Sequence, residues 1–224
     1  MATQSGDWFT SGGLVMLPLL GFSILAVTLI VERVRFWTKV VKRTDRFVRE
    51  FFTQYRRNQP NAFKLLERNK DLPMARIFGA ALELDNPTPD EFRLALESAA
   101  QAEIPMLKRF NTIFETIINL SPLLGLLGTV LGLIRSFSAM NVKSAADLAG
   151  GSSGGVTVGI SEALISTASG LVVAILTLFF ANAFRGFYQR QLALIQEYGG
   201  QLELLQRRRP YRGAPYIPTS EPRS

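Results

Sequence analysis

No cysteine and no histidine occur in this chain. Without cysteine there is no disulfide, no thiolate metal site and no thiol nucleophile. Without histidine the commonest transition-metal ligand and the usual near-neutral proton carrier are both missing. Any proton chemistry therefore falls to carboxylates. Charge is scarce in a patterned way: three apolar stretches carry almost none, and charged residues gather between and after them. A phosphate-binding loop is missing too, because the GGSSGG run at 150–155 lacks a GK[ST] ending and follows no strand. No nucleophile–base pair or metal cluster is apparent, so an enzyme is the least supported class.

What is present is a membrane pattern. The 224 residues are 47% hydrophobic with a formal net charge of +7, and segregation of apolar from charged residues argues for spans rather than one globular core. The basic balance lies beside those spans, which points to topology and anionic lipid rather than nucleic acid.

The first span covers residues 14–31, after a short polar lead in which Trp8 and Phe9 suit a membrane interface. No basic n-region precedes it and no small-residue cleavage site follows, so we expect a retained span rather than a cleaved leader. Arg33, Arg35, Lys39, Lys42, Arg43, Arg46 and Arg49 follow closely and put that side in the cytoplasm, with the N-terminus outside. Residues 32–110 form a helical insert punctuated by Pro60, Pro73, Pro87 and Pro89. Phe47, Phe51 and Tyr55, then Phe63 and Leu66, recur at helical spacing. Thr88, Pro89 and Glu91 predict a capped helix start. From there Phe92, Leu96, Ala99, Ala102, Met106 and Phe110 predict one long helix, bent at Pro105, that runs on into the second span.

The second span, residues 111–138, contains Pro122 and the small residues Gly125, Gly128 and Gly132, the last two spaced for close helix approach. Glu115, Pro122, Gly125 and Thr129 share one face. Arg135 is placed to snorkel to the far interface. A small, Gly/Ser-rich loop follows at 139–155. The third span, residues 156–184, carries one acid, Glu162, and an acid inside an apolar span is a functional candidate by its cost alone. Ser166 and Ser169 lie near its face, while Thr167 is about 140° round the helix. Gly170 adds a further close-packing position. Helical register continues from Arg185 through Ile195 and Leu202 to Arg207, before a proline-rich tail. On spacing alone Thr129 and Thr167 read as packing residues, and Glu115 reads first as an interfacial acid beside Lys108 and Arg109, with a place on a conducting path as the second reading. The class expected from these residues is an all-α membrane protein with three transmembrane helices, two of them extended into a long cytoplasmic helical region.

Two stretches resemble the paired pore signatures of the MotA/TolQ/ExbB proton-channel family. They are Ser121-Pro122-Leu123-Leu124-Gly125-Leu126-Leu127-Gly128-Thr129-Val130-Leu131-Gly132 and Gly159-Ile160-Ser161-Glu162-Ala163-Leu164-Ile165-Ser166-Thr167-Ala168-Ser169-Gly170-Leu171. Three spans resemble the ExbB/TolQ branch; the flagellar stator branch typically has four. Ser161 and Ser169 depart from what is often Ala and Ile in the enterobacterial motif, adding hydroxyls. The resemblance implies a pentamer around a single-span ExbD- or TolR-like partner that brings a membrane Asp, with a TonB-like protein as a further partner. It implies an inner-membrane protein with residues 1–13 and 139–155 periplasmic, 32–110 and 185–209 cytoplasmic, and 210–224 a disordered tail. By motif position Thr129 and Thr167 would be pore hydroxyls and Glu162 the pore-entrance carboxylate, with Ser166 and Glu115 also along the ion path and the glycines packing the helices. No cofactor is implied; the transported ion is H⁺, and residue type alone also admits Na⁺. A charge crossing 100 mV releases about 2.3 kcal/mol, enough to drive a conformational cycle by repeated transfers. The motifs leave open an ExbB-like role in energised outer-membrane transport, a TolQ-like role in envelope integrity, and a non-conducting membrane scaffold.

Overall fold

A computed structural model of the protein describes residues 13–57, 59–143 and 154–208. The expected external N-terminus at 1–13 apart from Gly13, most of the loop at 139–155 and the expected tail at 210–224 lie outside the described residues. Among the described residues the only regular elements are helices. They are α1 (Met16–Arg57), α2 (Gln59–Arg68), α3 (Pro73–Leu82), α4 (Pro89–Leu107), α5 (Asn111–Lys143) and α6 (Gly154–Arg207). Three helical stretches, starting at Met16, Pro89 and Thr157, are long and apolar enough to cross a membrane. The protein is an all-helical, multi-pass membrane protein.

The proline punctuation acts as local chemistry requires. Pro73 and Pro89 each open a helix, where a missing N–H costs nothing. Thr88 caps α4 reciprocally: its hydroxyl accepts from the Glu91 N–H, and the Glu91 carboxylate accepts from the Thr88 N–H at 2.7 Å. Those hydrogen bonds, the backbone one first, hold the Glu91 carboxyl below the usual carboxylate range.

The expected single helix from Pro89 into the second span is corrected by the structure. Pro105 stays inside α4, and the interruption comes at 108–110, where Phe110 adopts φ 68°. A left-handed phenylalanine is costly and persists only where surroundings fix it. The Phe110 ring packs near the Arg33 guanidinium, 6.0 Å from its centroid, and the Arg109 guanidinium sits 4.5 Å from the same ring.

The chain forms two compact units. One contains Met1–Phe36 and Arg109–Gly186, and its helical parts are the start of α1, all of α5 and the start of α6. Only 28% of the most apolar window in each of the second and third candidate spans is buried within the chain. Leu123, Leu126, Leu164, Ile175 and Phe179 all point outward. That much apolar surface needs lipid or another protein against it.

The other unit contains Trp37–Lys108 and Phe187–Ser224. Its core is aromatic. Phe47, Phe51 and Tyr55 of α1 are fully buried with Phe78 of α3, with ring centroids 4.9 Å apart for Phe51–Phe78 and 5.5 Å for Phe51–Tyr55. In α2 the buried positions are Ala62 and Leu66, while Phe63 is 37% exposed. The larger side chain therefore lies off the buried face, which carries Ala62 and Leu66. Arg76 of α3 grips Glu103 of α4 with two hydrogen bonds, one of 2.6 Å from Nε. Asp71 accepts from Lys39 at 2.9 Å and from Arg43. Burial alone would raise the Asp71 carboxyl; those two cations outweigh it and hold it below its ordinary range.

Candidate functional site

The seam between α5 and α6 is built from two stripes of small residues. On α5 these are Ser121, Gly125, Gly128 and Gly132; on α6 they are Gly159, Ala163, Ser166 and Gly170. Each stripe repeats at three- and four-residue steps, which keeps it on one helix face. The helices run antiparallel at backbone contact. A Cβ built on Gly170 would lie 2.5 Å from the Ser121 carbonyl oxygen, and one on Gly132 would lie 2.7 Å from the Gly159 carbonyl oxygen. A Cβ on Gly128 would fall 2.2 Å from Ser166 Oγ, and one on Gly125 would sit 3.0 Å from Thr167 Cα. Gly159 was not singled out from the sequence, although its distance of 11 residues from Gly170 places it three turns away on the same face.

Hydroxyls fill what the glycines leave. Thr167 donates to the Gly125 carbonyl at 3.0 Å. Ser166, fully buried, shares its proton between the same carbonyl at 3.2 Å and Ala163 O at 2.9 Å. Thr129, half-buried, donates to Leu126 O of its own helix at 2.6 Å. A carbonyl can only accept, so both threonine protons are committed to the backbone. What each threonine has left is lone pairs, which suit a cation, a water proton or a protonated carboxylic acid, but not a carboxylate.

Two ion pairs bracket this seam. Glu162 of α6 accepts from Arg135 of α5; the snorkelling arginine expected from the sequence is thus turned onto the acid of the third span. Glu115 of α5 pairs with Arg185 of α6 at 3.5 Å, beside a cleft of about 120 Å³ that Asn111, Asn119 and Asn182 help to line. From Glu115 to Arg135 is 20 residues, about 30 Å of helix, which equals the hydrocarbon thickness of a bilayer. Between the two pairs neither α5 nor the facing stretch of α6 carries a charged residue. The structure thus brings Ser166 and Thr167 onto one carbonyl at Gly125, with Thr129 one turn further along α5. Glu162 lies at one end and Glu115 at the other, so the two acids do not share a site. No group of three or more metal-ligating side chains occurs among the described residues.

Residues 69–197 match the family described as the MotA/TolQ/ExbB proton channel family. The chain belongs to this family. Within it, the chain falls in the ExbB/TolQ branch. It is 61% identical to the ExbB-like 3 protein of Synechocystis over 198 residues, covering 88% of this chain and 93% of that one. It is 32% identical to the biopolymer transport protein ExbB of Salmonella typhimurium, with 71% and 72% covered. It is 29% identical to the Tol-Pal system protein TolQ of Haemophilus influenzae, with 85% of each covered. The branch is one of channel and transport proteins rather than enzymes. The hydroxyl-lined α5–α6 seam coincides with the two stretches that carry the resemblance.

Proposed function

We propose that this ExbB/TolQ-branch chain is the ion-conducting subunit of an inner-membrane motor complex. It assembles as a pentamer around a single-span ExbD/TolR-like partner, faces the periplasm with its N-terminus, and extends helices of the 32–110 and 185–209 regions into the cytoplasm. Ion flow, with H⁺ as the carried ion, moves the partner and so energises transport at the outer membrane, a TonB-like protein passing the movement on. The observation that supports this most is the state of the threonines. Thr129 and Thr167 offer only lone pairs, in a stretch about 30 Å long that contains no charged residue of its own on α5 or α6. Those two hydroxyls can accept from a protonated acid brought by another chain and give nothing to a bare carboxylate. The acid that carries the proton belongs, on this reading, to the partner. Glu162 is the entrance carboxylate, Ser166 sets the seam, and Glu115 lies toward the cytoplasmic end of the path.

The names of the relatives favour a role in biopolymer transport, with the Salmonella and Synechocystis proteins both of the ExbB kind. The test is flux through the complex of this chain with its co-purified single-span partner, reconstituted in vesicles. We expect Thr167→Val to lower flux about fivefold, the worth of one neutral hydrogen bond of about 1 kcal/mol, and Thr167→Ser to retain most of it. Running the assay with Na⁺ present and absent identifies the ion. Wild-type flux no greater than that of empty vesicles would sink the proposal.

A further inference from the structure

The Arg135–Glu162 pair is lopsided. The Glu162 side chain is 13% exposed, whereas that of Arg135 is 53% exposed. The carboxylate is thus enclosed, and the guanidinium forms its open side. A third segment lies against the pair: Gly13, just before α1, has φ 69°, and a Cβ built there would fall 1.7 Å from Glu162 Oε1 and 3.2 Å from Arg135 Nη1. The backbone at Gly13 therefore lies against the carboxylate, at a position whose conformation calls for glycine. The clasp sits one to two turns from the threonines, about 8 Å along each helix.

We propose that Arg135 is the gate of the ion path: a tethered cation that occupies Glu162 and must swing away before a mobile cation can load there. This rests on the ion-path reading given above. Gly13 lies against one side of the carboxylate, and Arg135 holds it from α5. The guanidinium is always charged and forms strong hydrogen bonds to carboxylates, and its tether gives it a standing advantage over any ion from solution. Arg135 thus sets how readily an ion loads. Its exposed half lets it leave without stranding a buried charge of its own.

The experiment compares wild type, Arg135→Gln, Arg135→Lys and Glu162→Gln, each as the full complex with its single-span partner in vesicles. Flux and thermal midpoint are measured for each, with and without free guanidinium in the bath. We expect Arg135→Gln to conduct about threefold faster, the size of one half-exposed ion pair, and guanidinium to slow it back toward wild type while leaving wild type unaffected. Arg135→Lys falls between the two, and Glu162→Gln conducts more slowly with no response to guanidinium. An Arg135→Gln complex that is slower, less heat-stable and indifferent to guanidinium makes the pair a structural strut and overturns the gate. If Arg135→Gln does not assemble, Arg135→Lys decides: faster flux blocked by guanidinium supports the gate, and a wild-type rate without block overturns it. Absence of flux in wild type overturns the ion-path reading itself, and the gate with it.

Discussion

The two compact units solve the same packing problem with opposite materials. In the unit that contains the candidate spans, helices meet where side chains are missing, and backbone touches backbone at Gly125, Gly132 and Gly170. In the other, helices meet through the largest side chains available, with Phe51 and Phe78 at the centre. The difference is the one expected between helices packed in lipid and helices packed in water. In lipid an apolar side chain gains nothing by leaving the surroundings for an interface, so close contact and backbone-directed hydroxyls supply the association. In water, burial of an aromatic ring is the main source of stability. Ion pairs divide likewise. Those of the second unit tie α3 to α4 through Arg76–Glu103 and the turn before α3 to α1 through Asp71 and its two cations. The first unit places Arg135–Glu162 and Glu115–Arg185 at the two ends of an uncharged stretch.

The contrast is broken most severely by removing a ring from the aromatic core. Phe51→Ala should cost about 4 kcal/mol, whereas Leu123→Ala, on the outward apolar face, should change the thermal midpoint little. Equal losses in a melting assay of the purified protein would show that the aromatic cluster is not the core. A smaller effect, about 2 kcal/mol, is expected from adding volume to the seam in Gly170→Val, because the obstructing atom is a backbone carbonyl that cannot rotate away. It should appear as a lower yield of monodisperse protein, with the 37–108 region keeping its protease resistance; loss of that resistance would deny the units their separate materials. The smallest effect concerns pH. The folded Asp71 carboxyl lies below its unfolded value, so its contribution is present above about pH 4 and fades as pH falls through the folded value. With over a third of the side chain exposed, solvent screening keeps this below about 1 kcal/mol. Asp71→Asn should flatten that part of the acid-unfolding curve, and an unchanged curve would remove the pair from the stability account.

Much of this was legible in the chain. The three apolar helices followed from hydropathy, and the α4 cap from Thr88, Pro89 and Glu91. The core face of α1 followed from Phe47, Phe51 and Tyr55. The break at Phe110 was not legible, because its positive φ goes with packing beside Arg33, a residue distant in sequence, and no glycine or proline marks it. Phe63 misled because size suggests burial, while the buried face of α2 carries Ala62 and Leu66. At the seam, the α5 glycines and Gly170 were apparent, but Gly13 and the partnership of Arg135 with Glu162 depend on three segments meeting, which no local pattern encodes.

The carbonyl of Gly125 carries a consequence for how such a seam is inherited. The acceptor shared by Ser166 and Thr167 is a group that every residue possesses, so no substitution can delete it; a substitution can only push it out of reach. The donors, by contrast, are single hydroxyls that one codon change can add or remove. Variation can therefore retune the number of hydroxyls at this level of the membrane while the point they address stays constant. A mutational scan would record Gly125 as a matter of size, when what it contributes is an oxygen that the missing side chain leaves uncovered.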